Sequence, residues 1–397
     1  MSRIPGHRFL HSPGPTHIPD AVLDAMHRQP MDLADGRLDE IIAEGESGLK
    51  AVLKTTQATV SMFGSNAHGG WEACIENLLL PGQSVLVPGT GHFSQQWAIQ
   101  TEKLGRPVVP IEWREGYPID PDEIEQALRA DTERRIGAVF VVHTDTSSSV
   151  TNDLAAIRRA IDASGHHALM VVDVVASLAA APFDFDSLGI DVAIGGSQKG
   201  LMLPPGLAFV AVNDKALERI RANPAERFYW DFERRQASLS YLKFCGTPPE
   251  HMLMGLQASM RLLLQEGIDQ VVARHQLISG AVHAAVQGWS EAGALSFFAQ
   301  IPATRSVSVT TVSVTDGIDP EALRTVAREQ FQVAMAGGNG PTIGRVFRIG
   351  HLGDMNPAMI LGCLGGLQAA MQVQKIPFGS NGLNAAASFL AEQSDTA

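Results

Sequence analysis

Between residues 84 and 212, short runs of Val, Ile, Leu and Ala alternate with amphipathic stretches of helical length. Parallel strands need a crossover between them, usually a helix, and strands covered on both faces read as unbroken apolar runs. The pattern therefore predicts an α/β fold in which a largely parallel sheet lies between layers of helix. Strands are expected at 84–87, 107–111, 138–143, 168–175, 191–195 and 207–212, with helices at 94–104, 120–129 and 152–163.

After Pro248-Pro249 the order changes. Two long helical patterns, 250–266 and 268–292, lead into a strand at 306–314, a helix at 320–330, a strand at 345–349 and a helix at 357–373. A chain of 397 residues exceeds the usual size of one hydrophobic core. The expected division is an N-terminal segment (1–15), a large domain (16–266) and a smaller α+β C-terminal domain (267–397). The small, polar stretch after Phe378 is expected to be loosely held.

Apolar residues make up 45% and charged residues 18%, enough to build cores and against a disordered or fibrous chain. A net charge of −12 with no Lys/Arg run disfavours a nucleic-acid partner. Cys74, Cys245 and Cys363 are widely spaced, which predicts neither a disulfide framework nor a metal site. No signal-peptide pattern is read in residues 1–11, and the longest apolar run, 168–182, is too short for a bilayer and carries Asp173. A cytoplasmic protein without membrane contact is the expectation.

Asp173 is a lone carboxylate in Val171-Val172-Asp173-Val174-Val175, where burial without a partner costs several kcal/mol. One partner that meets this demand is a protonated ring nitrogen of a cofactor; the other is a structural hydrogen bond at the strand end. A strand further on stands Gly195-Gly196-Ser197-Gln198-Lys199-Gly200. A lysine between glycines at a strand end reaches the carboxyl edge of a parallel sheet, where such folds bind ligands. If buried, its amine loses basicity and attacks a carbonyl as a Schiff-base lysine; if not, it is a solvated loop residue.

Gly64-Ser65-Asn66-Ala67-His68-Gly69-Gly70-Trp71-Glu72 runs into a helical stretch, either as an anion cradle at a helix N-terminus or simply as a helix cap. It lacks the lysine of a Walker motif. Arg348, in Phe347-Arg348-Ile349, faces opposite to its neighbours on a strand, so its guanidinium either snorkels or grips a carboxylate.

Together these segments resemble the class V aminotransferases of pyridoxal-phosphate fold type I, in particular the alanine/serine/aspartate–glyoxylate aminotransferase group. The resemblance spans nearly the whole chain. It runs from Ser12-Pro13-Gly14-Pro15-Thr16-His17-Ile18-Pro19 through Val52-Leu53-Lys54-Thr55-Thr56, Gly69-Gly70-Trp71-Glu72, Val172-Asp173 and Gly196-Ser197-Gln198-Lys199-Gly200. It continues through Pro204-Pro205-Gly206-Leu207 and Arg348-Ile349-Gly350 to Gly379-Ser380-Asn381-Gly382.

The resemblance implies a mostly parallel seven-stranded sheet and pyridoxal 5'-phosphate as cofactor. Lys199 would be the Schiff-base lysine and proton shuttle, and Asp173 the partner of the ring nitrogen. Asn66, Ala67, His68 and Gln198 would hold the phosphate, with Thr247 reaching it from the partner subunit of a homodimer whose sites lie at the interface. Phe93 would stack on the cofactor, Thr146 would lie near the cofactor oxygen and the substrate, Gly14 beside the substrate, and Arg348 on its α-carboxylate.

Three departures from the group's pattern bear on substrate. Asp32-Leu33-Ala34 replaces an Asp-His-Arg segment, Thr146-Ser147-Ser148-Ser149 lacks the glycine of the group's loop, and Phe244 stands where relatives often carry a phosphate-binding tyrosine. The expected reaction is ping-pong transfer of an amino group from a small amino acid, of alanine or serine type, to glyoxylate or pyruvate. Pyridoxamine–pyruvate transamination and a lyase or desulfurase are the alternatives; a non-enzymatic binding protein lacks spare residues for a second module.

Overall fold

The computed structural model describes residue 6 and residues 8–394. Ten strands come before residue 213: β1 (Phe9–His11), β2 (Thr59–Phe63), β3 (Ser84–Pro88), β4 (Val108–Ile111), β5 (Ile136–Val142), β6 (Thr144–Asp145), β7 (Val150–Thr151), β8 (Leu169–Asp173), β9 (Val192–Gly196) and β10 (Ala208–Val212). Four follow: β11 (Leu295–Phe297), β12 (Val309–Val314), β13 (Val333–Gly337) and β14 (Val346–Gly350).

The larger sheet has the order β2-β10-β9-β8-β5-β3-β4. Only β10 runs against the rest, pairing antiparallel with both β2 and β9. Side chains alternate between two apolar layers: Val139, Val141, Met170 and Val172 enter one, Ala138, Phe140, Leu169 and Val171 the other. Burial on both faces explains why these strands read as unbroken apolar runs. Asp173 follows in the register of Leu169 and Val171, on the face that holds Trp71, Trp97 and Phe140.

The smaller sheet, β1-β13-β14-β12-β11, has its own core, built with the helices Ile268–Ser290 and Pro357–Val373. Phe347 and Ile349 enter that core while Arg348 turns to the other face, as strand alternation requires. β1 pairs in parallel with β13, and the chain then crosses toward the larger sheet.

The expectation of a loose tail is overturned. Gly382–Ser394 is a helix packed along Ile268–Ser290, with the Phe389 ring in the notch left by Gly280 and Trp289 against Gly382. Small residues here allow close helix approach. The strand expected to reach residue 175 ends at Asp173, and β2, β11 and β13 are strands for which no expectation was formed.

Several histidines are buried in neutral form. Burial holds His11, His143, His275 and His283 down at about 4 from the ordinary 6.5. Nε2 of His275 accepts the Gly353 amide at 3.0 Å, a bond that protonation would break. The unfolded chain therefore binds protons that the folded chain refuses, so nothing is lost above pH 6.5 and stability falls as pH drops from 6.5 toward 4. At roughly pH 5 the loss is about 2 kcal/mol per histidine. Asp173, pushed up to about 6 by burial, works in the opposite sense and offsets about one of the four. Urea unfolding midpoints measured between pH 7 and 5 should fall steeply, and a flat profile would contradict this account.

Candidate active site

The carboxyl ends of β5, β8 and β9, the N-terminus of the helix Ala67–Leu78, the start of the helix His92–Lys103 and the crossing segment after β1 enclose a cavity of about 300 Å³. Of the residues singled out in the sequence, Gly14, Asn66, Ala67, His68, Phe93, Thr146, Asp173, Gln198 and Lys199 line it. Such a placement follows from the fold, since loops at the carboxyl edge of a parallel sheet converge there.

Lys199 is buried, and its Nζ donates to the Pro13 carbonyl. Thr16 clasps the same loop from the other side: its amide donates to the Gln198 carbonyl at 3.2 Å and its Oγ1 to the Lys199 carbonyl at 3.0 Å. A side chain at Gly14 would meet the lysine, because a Cβ there falls 2.5 Å from Nζ, and the φ of +132° is one that side chains rarely adopt. Burial, and then the nearby Arg348 charge, brings the Lys199 amine down to about 8. At pH 7 about a tenth of such an amine is neutral, far more than for a free lysine, and this fraction can act as a nucleophile.

Asp173 closes β8 with its carboxylate toward the cavity. Oδ1 accepts the Val175 amide at 2.8 Å and Oδ2 accepts the indole N–H of Trp71 at 2.8 Å. Burial pushes its pKa up to about 6, opposed by those two hydrogen bonds. A second buried acid, Asp145, organises the wall that carries Phe93: its carboxylate accepts the amides of Phe93 at 2.8 Å and Ser147 at 2.9 Å, and the Ser147 hydroxyl at 2.6 Å.

Arg348 is buried but stands behind Thr146 rather than on the cavity wall. Its Nε donates to the Gly337 carbonyl at 2.6 Å, one terminal nitrogen to the Thr146 carbonyl at 3.0 Å and the other to Asn339 Oδ1 at 3.0 Å. With five N–H donors on a guanidinium, one remains on each terminal nitrogen. Desolvation lowers its pKa to about 10, so it stays charged. Thr247 lies apart, exposed on the loop before the helix Glu250–Glu266, and Phe244 is buried in the main core.

Sequence reasoning gave no role to Trp71 or Asp145. Trp71 stood in a quoted motif, but its contact with Asp173 spans 102 residues. Asp145 offered a signal, a carboxylate in a polar stretch directly after the apolar β5, that went unused.

A buried lysine of lowered basicity and a buried carboxylate on one cavity at this sheet edge define an enzyme of amine and carbonyl chemistry. Residues 8–348 match the Aminotransferase class-V family, and the chain belongs to it. It is similar to the serine–glyoxylate aminotransferase of Methylorubrum extorquens, 36% identical over 98% of both chains. It is also similar to the L-aspartate–glyoxylate aminotransferase of Paracoccus denitrificans, 39% identical over 88% of this chain and 87% of that one. Among solved structures, the pyridoxamine–pyruvate aminotransferase of Mesorhizobium loti superposes with a TM-score of 0.89 at 26% identity, covering 99% of this chain and 100% of that one. The fold is fold type I, and the protein is an aminotransferase.

Proposed function

We propose that this chain uses pyridoxal 5'-phosphate to move an amino group from a small amino acid to a small 2-oxo acid such as glyoxylate or pyruvate, by a ping-pong mechanism. The observation that carries the reading is Lys199 and Asp173 on one cavity. The lining suits the cofactor. The helix N-terminus at Asn66, Ala67 and His68 presents its positive end to the cavity, and Phe93 offers an apolar face. Bound there, pyridoxal phosphate supplies an electrophilic carbonyl and an electron-withdrawing ring.

The chain's own residues divide the remaining work. Lys199 Nζ would hold the cofactor covalently, and its free amine would take the proton from the substrate α-carbon. Asp173 offers its carboxylate to the ring nitrogen and keeps a proton there. Gln198 and the Asn66-Ala67-His68 turn hold the phosphate, assisted by Thr247 of a second copy in a homodimer. Arg348, behind the cavity wall at Thr146, would turn its two remaining donors toward the α-carboxylate. A cytoplasmic location accords with Cys74, Cys245 and Cys363 all being free thiols.

The names of the two relatives, serine–glyoxylate and L-aspartate–glyoxylate aminotransferase, frame the choice of donor. Among the cavity's lining residues Lys199 is the one Lys or Arg side chain. Arg37, the cation best placed in sequence to replace the missing one, is spent on Asp35 at the surface and borders a different cavity with Arg28 and Arg261. A second carboxylate therefore meets no cation of its own, and serine or alanine should exceed aspartate in kcat/KM by roughly a hundredfold. Steady-state comparison of the three donors against glyoxylate checks this, with aspartate as best donor the contrary result. The same assay with pyridoxamine and pyruvate tests the second reading, which the Mesorhizobium loti structure favours. The desulfurase reading finds no thiol on the cavity: Cys74 and Cys363 are buried in helices where burial pushes their thiols up, and Cys245, half-buried, is not among the lining residues.

A further inference from the structure

We infer that Trp71 is a positioning residue for Asp173, its indole N–H fixing the plane of the carboxylate and favouring its charged form. The inference rests on the reading that Asp173 serves the ring nitrogen.

The contact is built rather than incidental. Trp71 and Asp173 are both buried, and the 2.8 Å bond joins the first turns of the helix Ala67–Leu78 to the end of β8. The indole cannot swing away, because it stacks on Trp97 at 5.2 Å and 11°, and Trp97 stacks on Phe140 of β5 at 4.3 Å and 17°. Such a stack has few rotamers open to it in a packed core. The backbone amide of Val175 takes the other carboxylate oxygen at 2.8 Å. One oxygen is thus held by the strand turn and the other by an aromatic donor, leaving the remaining lone pairs to the cavity.

The electrostatics call for such a donor. Desolvation and the buried carboxylate of Asp145 both disfavour charge on Asp173, while Lys199 favours it. His143 on the neighbouring strand end adds no charge: burial keeps its ring neutral, and Nδ1 pairs with Ser177 Oγ at 2.9 Å. His68, whose ring lies 4.5 Å from Trp71, is held below its ordinary value by burial. Besides Lys199, the groups that hold the carboxylate anionic are the Val175 amide and Trp71. Only the second is a side chain that substitution removes.

The test is an infrared titration of the cofactor-free full-length chain, following the carboxyl band that Asp173→Asn abolishes. In the parent the midpoint is expected at about 6; Trp71→Phe should raise it by about one pH unit. An unmoved midpoint overturns the inference, as does an equal shift in Trp97→Phe, which loosens the stack but keeps the donor. If Trp71→Phe does not fold, the indole N–H resonance of Trp71 in the unmodified chain decides. It should shift with the Asp173 midpoint and lose that titration in Asp173→Asn, whereas an indole signal indifferent to Asp173 overturns the proposal. Both readouts leave the cofactor out, so they stand or fall separately from the role of Asp173 in transamination.

Discussion

Lys199→Ala is expected to abolish transamination, a loss beyond roughly 10⁴-fold, the upper end for a single positioned proton-transfer group. The same variant should no longer be fixed to its cofactor by borohydride. Two functions leave with one amine: the covalent hold on the cofactor and the base that reaches the substrate α-carbon. No other lysine lines the cavity, and those in ion pairs are engaged elsewhere, Lys54 with Asp269, Lys215 with Asp191 and Lys243 with Glu46. A borohydride-stable cofactor label recovered from the purified variant would defeat the assignment.

Asp173→Asn should cut the single-turnover rate by roughly 10²–10⁴-fold, because an amide cannot hold a proton on the ring nitrogen and the electron-withdrawing power of the ring falls. Stability at pH 7 should change little, because losing a charge that burial disfavours offsets the loss of an acceptor. The Val175 amide and the Trp71 indole both donate to the carboxylate, and an asparagine has one acceptor oxygen for the two. The donor left without a partner carries a penalty of about 1–3 kcal/mol. Rapid mixing with the amino donor alone isolates the effect on rate, and urea unfolding checks the stability. A near-normal first half-reaction would make Asp173 a structural residue.

Lys199 and Asp173 were legible because each is an exception to its surroundings, a cation between glycines at a strand end and an acid in an apolar strand. Their neighbourhood follows from the order of strands, since β8 and β9 are adjacent in the sheet. What escaped reading was whatever depends on distant register. Trp71 reaches Asp173 only because the helix Ala67–Leu78 lies on one face of the sheet, and nothing local to Trp71 says which face. β2 is short and mixes Thr and Ser with its apolar residues, and pairs with β10 across 145 residues or more. The C-terminal helix, rich in Ala and Ser, carries too weak an apolar stripe to announce itself. It is held by the notch at Gly280 on another helix. Arg348 was correctly set on the opposite face from Phe347 and Ile349, but that three of its five donors are taken by Gly337, Thr146 and Asn339 is a matter of loops brought together by the fold.

The crossing segment from β1 to Thr16 has a consequence for how the chain matures on the ribosome. The strands of the larger sheet, from β2 to β10, have all been synthesised once residue 212 is made, well before β13. β1 emerges before any of them yet has nothing to pair with until β13, at Val333–Gly337, has been synthesised. The His11 ring waits longer still, for the carbonyl of Gly350. Closing a loop of that length carries an entropic cost that only late tertiary contacts repay. The clasp itself joins residues 13 and 16 to 198 and 199, so its groups exist early, but β1, the strand that anchors its N-terminal side, gains its partner only once β13 has been made.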